Sequence, residues 1–154
     1  MNVSEILTLL EAERVVRHAI IMLNRAFDDE NLQAVRACLS ENFTVGSAVV
    51  NQSGQQDVIR GADMMLTVMK DIAAQRQAVG TRSMHILGEI AVSVRADEAE
   101  GSTFQIAYLY RSGEVCSPPS KSGSRGTYRL RRELGAWKIV SFTVDRLWLE
   151  GEPY

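Results

Sequence analysis

One of the chain's two histidines, His85, lies in "TRSMHILGEI" (residues 81–90). Imidazole changes charge near neutral pH, so a histidine that reaches a pocket can take a proton from one atom and return it to another. Met84, Ile86, Ile90 and Val92 alternate along the stretch and predict a strand with one apolar face, while Ser83, His85, Leu87 and Glu89 share the other parity. The pattern leaves two readings of His85: a proton-transfer residue in a pocket, or a histidine on a half-exposed strand. Glu89 on the same parity reads as a catalytic acid or as an exposed strand residue. The other histidine, His18, falls mid-helix off the apolar stripe and is assigned to the surface. Cys38 and Cys116 stand far apart, outside any CxxC or Cys/His grouping, and point to neither a disulfide nor a metal site.

Apolar groups that would enclose a ligand are more ambiguous. Met22, Met64, Met65, Met69 and Met84 can line an adaptable cavity, although methionines at helical spacing are commonly plain core. Phe43, Phe104, Tyr108, Tyr128, Phe142 and Trp148 supply aromatic area for either purpose. The arginines of "YRLRRE" alternate with apolar residues and read as the solvated face of a strand, and Trp137 as packing in the sheet or a dimer interface.

The elements that would carry these residues fall in two halves. A helix is predicted over 8–28, opened by the capping-box pair Thr8 and Glu11, with Ile6, Leu10, Val16, Ile20, Leu23 and Phe27 as its apolar stripe. "DDEN" (28–31) punctuates the chain before a short helix, "LQAVRACLSE" (32–41). A weak hairpin turning at "NQSG" is expected within 43–61, then a third helix over 62–77. Strands follow at 81–96 and 103–111 around a turn at "DEAEG". The Ser-, Gly- and Pro-rich stretch 112–126 reads as a loop, and 127–134 with 136–149 as a closing hairpin. Helices first and long strands later predict an α+β domain with helices on one face of a mainly antiparallel sheet.

Bulk properties bound the function. The 154 residues suit one domain (1–154), and 45% hydrophobic content supports one core. Seventeen basic against nineteen acidic residues leave a net charge of -2, which argues against a nucleic-acid partner. No apolar run approaches the ~20 residues of a membrane span. "MNVSEILTLLEAERVV" lacks the basic region and cleavage site of a secretory signal, so a cytoplasmic location is expected.

Several stretches, taken in order, resemble the SnoaL-like branch of the NTF2-like superfamily over residues 9–149. "RAFDDENLQAVRACLSENFTV" (25–45) is similar to the family's first-helix ending and capped second helix, with Asp28 at its aspartate and Asn31 at its cap. Gly61 fits the glycine before the third helix, "TRSMHILG" resembles the family's strand motif with His85, and "RADEA" (95–99) matches the family turn in part. "GTYRLRRELGAWKIVSFTV" (126–144) resembles the closing hairpin. The resemblance implies a cone in which a curved sheet wraps about three helices, a small-molecule cavity, and homodimerisation through the outer sheet face. Known members include dehydratases, polyketide cyclases, ketosteroid isomerases, epoxide hydrolases and non-catalytic dioxygenase small subunits.

Carried over by position, the dehydratase-like pair is Asp28 and His85, with the carboxylate fixing the imidazole tautomer and no metal or cofactor required. Asp28 also has a plain reading as helix punctuation. A second histidine on the next strand is absent; "TFQIAYLY" offers Gln105, Tyr108 and Tyr110, of which the tyrosines become candidate carbonyl-polarising groups. Leu23 and Phe27 stand where first-helix tyrosines would be, Glu89 where relatives have Asn, and Leu130 where many have an acid. The expected function is therefore a small-molecule-binding protein with cofactor-free dehydratase or isomerase chemistry on an apolar cyclic or aromatic metabolite. Its proposed site comprises His85 and Asp28, with Tyr108, Tyr110, Glu89, Met65 and Met69 as substrate contacts. The rival is a non-catalytic binding or assembly module like a dioxygenase small subunit. An epoxide hydrolase-like site would need an Asp–Arg–Asp set, and adjacent Asp145 and Arg146 point to opposite faces of a strand.

Overall fold

Helix formation begins at the second residue. Asn2 Oδ1 accepts the Glu5 N–H at 2.9 Å and the Glu5 carboxylate accepts the Asn2 N–H at 2.8 Å, a reciprocal cap that satisfies two first-turn donors. Helix α1 consequently spans Val3–Asp28, starting before the cap expected at Thr8 and Glu11. Thr8 instead donates to the Ser4 carbonyl inside the helix, and Glu11 pairs with Arg14. The opening turns bury little, since Val3, Ile6, Leu7 and Leu10 are all exposed; the core stripe starts at Ala12 and continues through Val16, Ile20 and Leu23. Ile6 and Leu10 therefore do not belong to the buried face.

The structure, a computed structural model, describes residues 2–45, 49–50, 56–57, 59–111, 113 and 120–151. Helix α2 (Leu32–Cys38) is capped by Asn31, whose Oδ1 accepts the Ala34 N–H at 3.0 Å. It stops before the predicted Glu41 because the backbone turns extended at Leu39 and enters β1 (Leu39–Val45), which buries Leu39 and Phe43. Strands β2 (Val49–Val50) and β3 (Gln56–Asp57) pair antiparallel as the weak hairpin required, while its "NQSG" turn lies outside the described residues. Helix α3 (Ala62–Ala78) follows Gly61, whose φ of 84° suits glycine, and buries Met65 and Met69.

Four long strands complete the fold: β4 (Thr81–Arg95), β5 (Glu98–Arg111), β6 (Ser120–Glu133) and β7 (Ala136–Gly151). Their sheet has the order β1-β7-β6-β5-β4, antiparallel throughout except where β1 runs parallel to β7. The result is the expected α+β architecture, a bent sheet around three helices. Val16, Ile20 and Leu23 of α1 share one core with Val35, Phe43, Leu130 and Ile139. Trp137 is buried in the sheet under the Arg132 guanidinium, and Arg129 and Arg131 lie on the solvated face beside Glu100 and Glu98.

Two expectations in the second half change. The turn over 97–101 contracts to Ala96 and Asp97, with Ala96 at φ 52°, and β5 starts at Glu98. Residues 120–126, assigned to a loop, belong to β6. This central strand hydrogen-bonds to β5 on one side and β7 on the other, and its small residues leave room for rings. A Cβ at Gly123 would overlap the Trp148 indole, and one at Gly126 would press on the Tyr128 ring.

The bend of β4 decides where His85 points. Leu87 pairs with Gln105 but Ile90 with Thr103, so β4 carries one extra residue there, a β-bulge. Thr103 Oγ1 donates to the Gly88 carbonyl at 3.3 Å within it. The extra residue reverses the parity: Thr81, Ser83, His85 and Leu87 face inward before the bulge, and Ile90, Val92 and Val94 after it. Met84 and Ile86 stand on the outer face with Phe104, Leu147 and Trp148, all exposed.

Candidate functional site

Asp28, the last residue of α1, sends both carboxylate oxygens to β4. Oδ2 accepts the His85 backbone N–H at 2.7 Å, Oδ1 accepts the Ser83 hydroxyl at 3.0 Å, and the same Oδ1 lies 2.6 Å from His85 Nδ1. Asn31 rather than Asp28 caps α2, so the punctuation reading of Asp28 gives way to a tie between helix and sheet. A carboxylate at a helix C-terminus is disfavoured by the helix dipole, and these three contacts offset that cost.

The protonation pattern follows from the geometry. Burial would raise the pKa of Asp28, but hydrogen bonds from the His85 ring, the His85 backbone and Ser83 outweigh it and hold the carboxyl below its ordinary range. An ionised Oδ1 can only accept, so Nδ1 carries a proton, and in the neutral ring Nε2 is then the acceptor. The unit extends one step further. Arg76 of α3 donates from Nη1 to Ser83 Oγ at 2.8 Å, fixing the hydroxyl so that its proton is directed to Asp28. Burial lowers the pKa of Arg76, and the charges of Glu30 and Asp28 oppose that shift.

Three adjoining cavities meet at His85. The first, of about 240 Å³, is bounded by Phe27, Asn24, Gln105, Tyr128, Phe142 and Val144, among others. The Tyr128 hydroxyl accepts from Asn24 Nδ2 at 3.0 Å and faces Gln105 Oε1 at 3.5 Å, a long contact that leaves its proton available to a better acceptor. Burial pushes the Tyr128 pKa up, with the Asn24 hydrogen bond pulling the other way. The second cavity, about 200 Å³, is lined by Arg76, Ser83, Ala107, Ser120, Ser122 and Arg146. The third, about 150 Å³, lies under α3 and includes Met65, Met69, Phe27 and Glu30.

Of the residues expected at the site, the structure brings together Asp28, His85, Met65 and Met69. Tyr108 joins them at the second cavity, whereas Tyr110 lines none of the three. On β5 the inward parity holds Thr103, Gln105, Ala107 and Leu109, so both half-buried tyrosines alternate with it on the parity of exposed Phe104; Tyr108 nevertheless lines the second cavity together with His85. Glu89 also departs, because the bulge leaves it exposed and off the parity of His85. Arg76 and Asn24 were not singled out by sequence reasoning, Ser83 was noted only for sharing the parity of His85, and Arg146 only in the epoxide hydrolase-like alternative. Ser83, two residues before His85 on one strand, carried a usable signal. Leu130 is core, and His18 is exposed as expected. Among the described residues no three His, Cys, Asp or Glu side chains converge as a metal site, and no helix is long and apolar enough to cross a membrane.

Residues 8–143 match the family model of the SnoaL-like domain. No curated protein matches the sequence. Among solved structures, an NTF2-like protein with a cystatin-like fold from Novosphingobium aromaticivorans superposes with a TM-score of 0.74 at 22% identity, covering 95% of this chain and 88% of that one. A candidate scytalone dehydratase from the same species gives 0.74 at 14% identity, covering 94% and 90%. A candidate aromatic ring hydroxylase, again from N. aromaticivorans, gives 0.72 at 18% identity, covering 93% and 94%. At these identities the superpositions establish the fold, the NTF2-like cone.

Proposed function

The chain belongs to the SnoaL-like family, and from that premise we propose that it is a cofactor-free dehydratase or isomerase acting on a small cyclic carbonyl compound. The observation that carries this reading is the 2.6 Å contact between Asp28 Oδ1 and His85 Nδ1 at a junction of cavities. His85 Nε2 takes the proton from the carbon next to the substrate carbonyl, and the imidazolium so formed is stabilised by the Asp28 carboxylate. The electron pair moves toward the carbonyl oxygen, where the Tyr128 hydroxyl donates in place of its long contact to Gln105. In elimination the imidazolium returns its proton to the β-hydroxyl, which departs as water as the double bond forms. In isomerisation the same proton returns to a different carbon. Tyr128 thus takes the role expected of Tyr108 or Tyr110. Met65, Met69 and Phe27 enclose the apolar part of the ligand.

The test is exchange of the acidic C–H of cyclic ketones and β-hydroxyketones in D₂O, followed by NMR. Wild-type protein is expected to accelerate exchange for members of the panel, and His85→Ala to remove the acceleration. Undiminished exchange by His85→Ala, or none by the wild type, overturns the mechanism.

We further propose a homodimer built on the outer sheet face, supported by the exposed Met84, Ile86, Phe104, Leu147 and Trp148. Light scattering should give twice the 17.1 kDa chain mass. A monomer would refute it. The same face and the likeness to a candidate ring hydroxylase favour the rival reading, an assembly module; a co-purifying large subunit would support it.

A further inference from the structure

We propose that the cavity beside His85 is a carboxylate-binding subsite, formed by Arg76 and Arg146 and placed to hold an anionic arm of the substrate while its ring occupies the neighbouring cavity. The inference rests on the acid–base reading for its account of the ring, but the subsite is argued from separate residues. Arg76 enters from α3 and Arg146 from β7, elements far apart in the chain, and both line the same space of about 200 Å³. Among the described residues no carboxylate lies within ion-pair distance of either guanidinium. Glu30 and Asp28 act on Arg76 only through their fields, and the Asp28 oxygens are taken up by His85 and Ser83. Arg76 is also half-buried, a costly position for a cation without a close counter-charge.

The sheet beneath these arginines is cut back to make room. Across β4, β5 and β6, His85 pairs with Ala107, which pairs with Ser122, and Ser83 pairs with Leu109, which pairs with Ser120. Small side chains at 107, 120 and 122 leave the floor low and offer hydroxyls. On β7 an irregularity between Gly123 and Ser124 skips Leu147, pairing Ser124 with Arg146 and turning that guanidinium to the inner face. Arg146 borders both this cavity and the one holding Tyr128, so a ligand bridging the two passes His85. Planar guanidinium groups suit carboxylates through paired N–H donors.

Binding of simple probes tests the subsite without requiring turnover. Cyclohex-1-ene-1-carboxylate and benzoate would be titrated by calorimetry and amide NMR against their neutral carboxamides, with wild type, Arg146→Gln and Arg146→Lys. The wild type should prefer each carboxylate over its amide by at least tenfold. Arg146→Gln should bring that preference near unity, with shifts at Arg76, Ser122 and His85 lost, and Arg146→Lys should restore part of it. Equal binding of carboxylate and amide by the wild type, no carboxylate binding up to ~10 mM, or an unchanged preference in Arg146→Gln overturns the proposal. The two readings fail separately. Arginine-dependent carboxylate binding without C–H exchange would remove the acid–base function and leave the subsite. Exchange of neutral ketones that does not depend on Arg146, together with equal binding of acid and amide, would remove the subsite and leave the function.

Discussion

Asp28→Asn tests the geometry of the site before any substrate is known. The substitution keeps the shape but exchanges one acceptor oxygen for an NH₂ group. If the amide oxygen stays with the His85 backbone N–H, the NH₂ occupies the Oδ1 position, where it meets His85 Nδ1 and the Ser83 hydroxyl. A donor facing Nδ1 requires Nδ1 to be bare, so the ring shifts its proton to Nε2. The side chain that had been a proton acceptor toward the cavity becomes a donor, and exchange activity should fall by at least two orders of magnitude, the usual worth of a positioned base. The Ser83 hydroxyl, already accepting from Arg76 at 2.8 Å, must turn its proton away and accept from the introduced amide with its other lone pair, so that proton loses its carboxylate acceptor.

The stability cost follows from the same contacts. Hydrogen bonds to a charged group contribute roughly 1.5–3 kcal/mol each, and an isosteric amide retains part of this, so a net loss of about 2 kcal/mol is expected. For a chain of this length that corresponds to a Tm lower by about 4–8 °C. The pH dependence has a definite sign. The folded pKa of Asp28 lies below the unfolded value of about 3.9, so its contribution is complete above that pH and is lost as pH falls through the folded pKa. The part of the gap between wild type and variant in urea unfolding that comes from the Asp28 carboxylate should be complete above about pH 4 and close at lower pH. Long-range ¹H–¹⁵N NMR of the imidazole reads the tautomer directly, with a proton on Nδ1 in wild type and on Nε2 in the variant. A wild-type ring protonated on Nε2 at neutral pH would refute the reasoning at its root, whatever the activity.

Other perturbations test separate parts of the structure. Tyr128→Phe removes one partner of Asn24 Nδ2, which also donates to the Ile20 carbonyl at 2.9 Å; a loss of about 1–2 kcal/mol is expected in denaturant melts, with exchange slowed but His85 still in its wild-type tautomer. Gly101→Ala would put a Cβ 2.4 Å from Ile20 Cδ1 in the closed core, and should cost about 1–3 kcal/mol by thermal unfolding while the His85 NMR signals stay in place. Met69→Ala enlarges the cavity under α3; it should lose about 2–5 kcal/mol, and a bulkier apolar ligand should recover part of that in a thermal shift. Tyr110→Phe, on the outward parity, should leave ligand affinity within about twofold by calorimetry.

The sequence carried the order of elements because apolar period and turn residues are local properties. It carried the Asp28–His85 pair only through resemblance, since the two stand far apart in the chain and nothing near either names the other. What escaped it depends on neighbours. The Ser- and Gly-rich stretch 120–126 reads as a loop by composition, yet as a strand enclosed by β5 and β7 it needs small residues beneath Trp148 and Tyr128. The start of α1 escaped because its first turns contribute little to the core, leaving only the Asn2–Glu5 box as a sign.

The bulge after Leu87 shows most clearly how one residue redirects a site. Alternation alone groups Met84 and Ile86 with Ile90 and Val92, and a buried apolar face drawn through all four would turn His85 and Ser83 outward. The extra residue at 88–89 splits that group, so that Ile90 and Val92 face inward, Met84 and Ile86 face outward, and His85 joins the inner surface without any change in composition. Only then do Ser83 and the His85 ring lie on the side that Asp28 approaches from α1 and Arg76 from α3. The same residue that brings His85 to the cavity removes Glu89 from it. This register therefore presents one imidazole with its carboxylate partner on the inner surface and leaves Glu89 exposed.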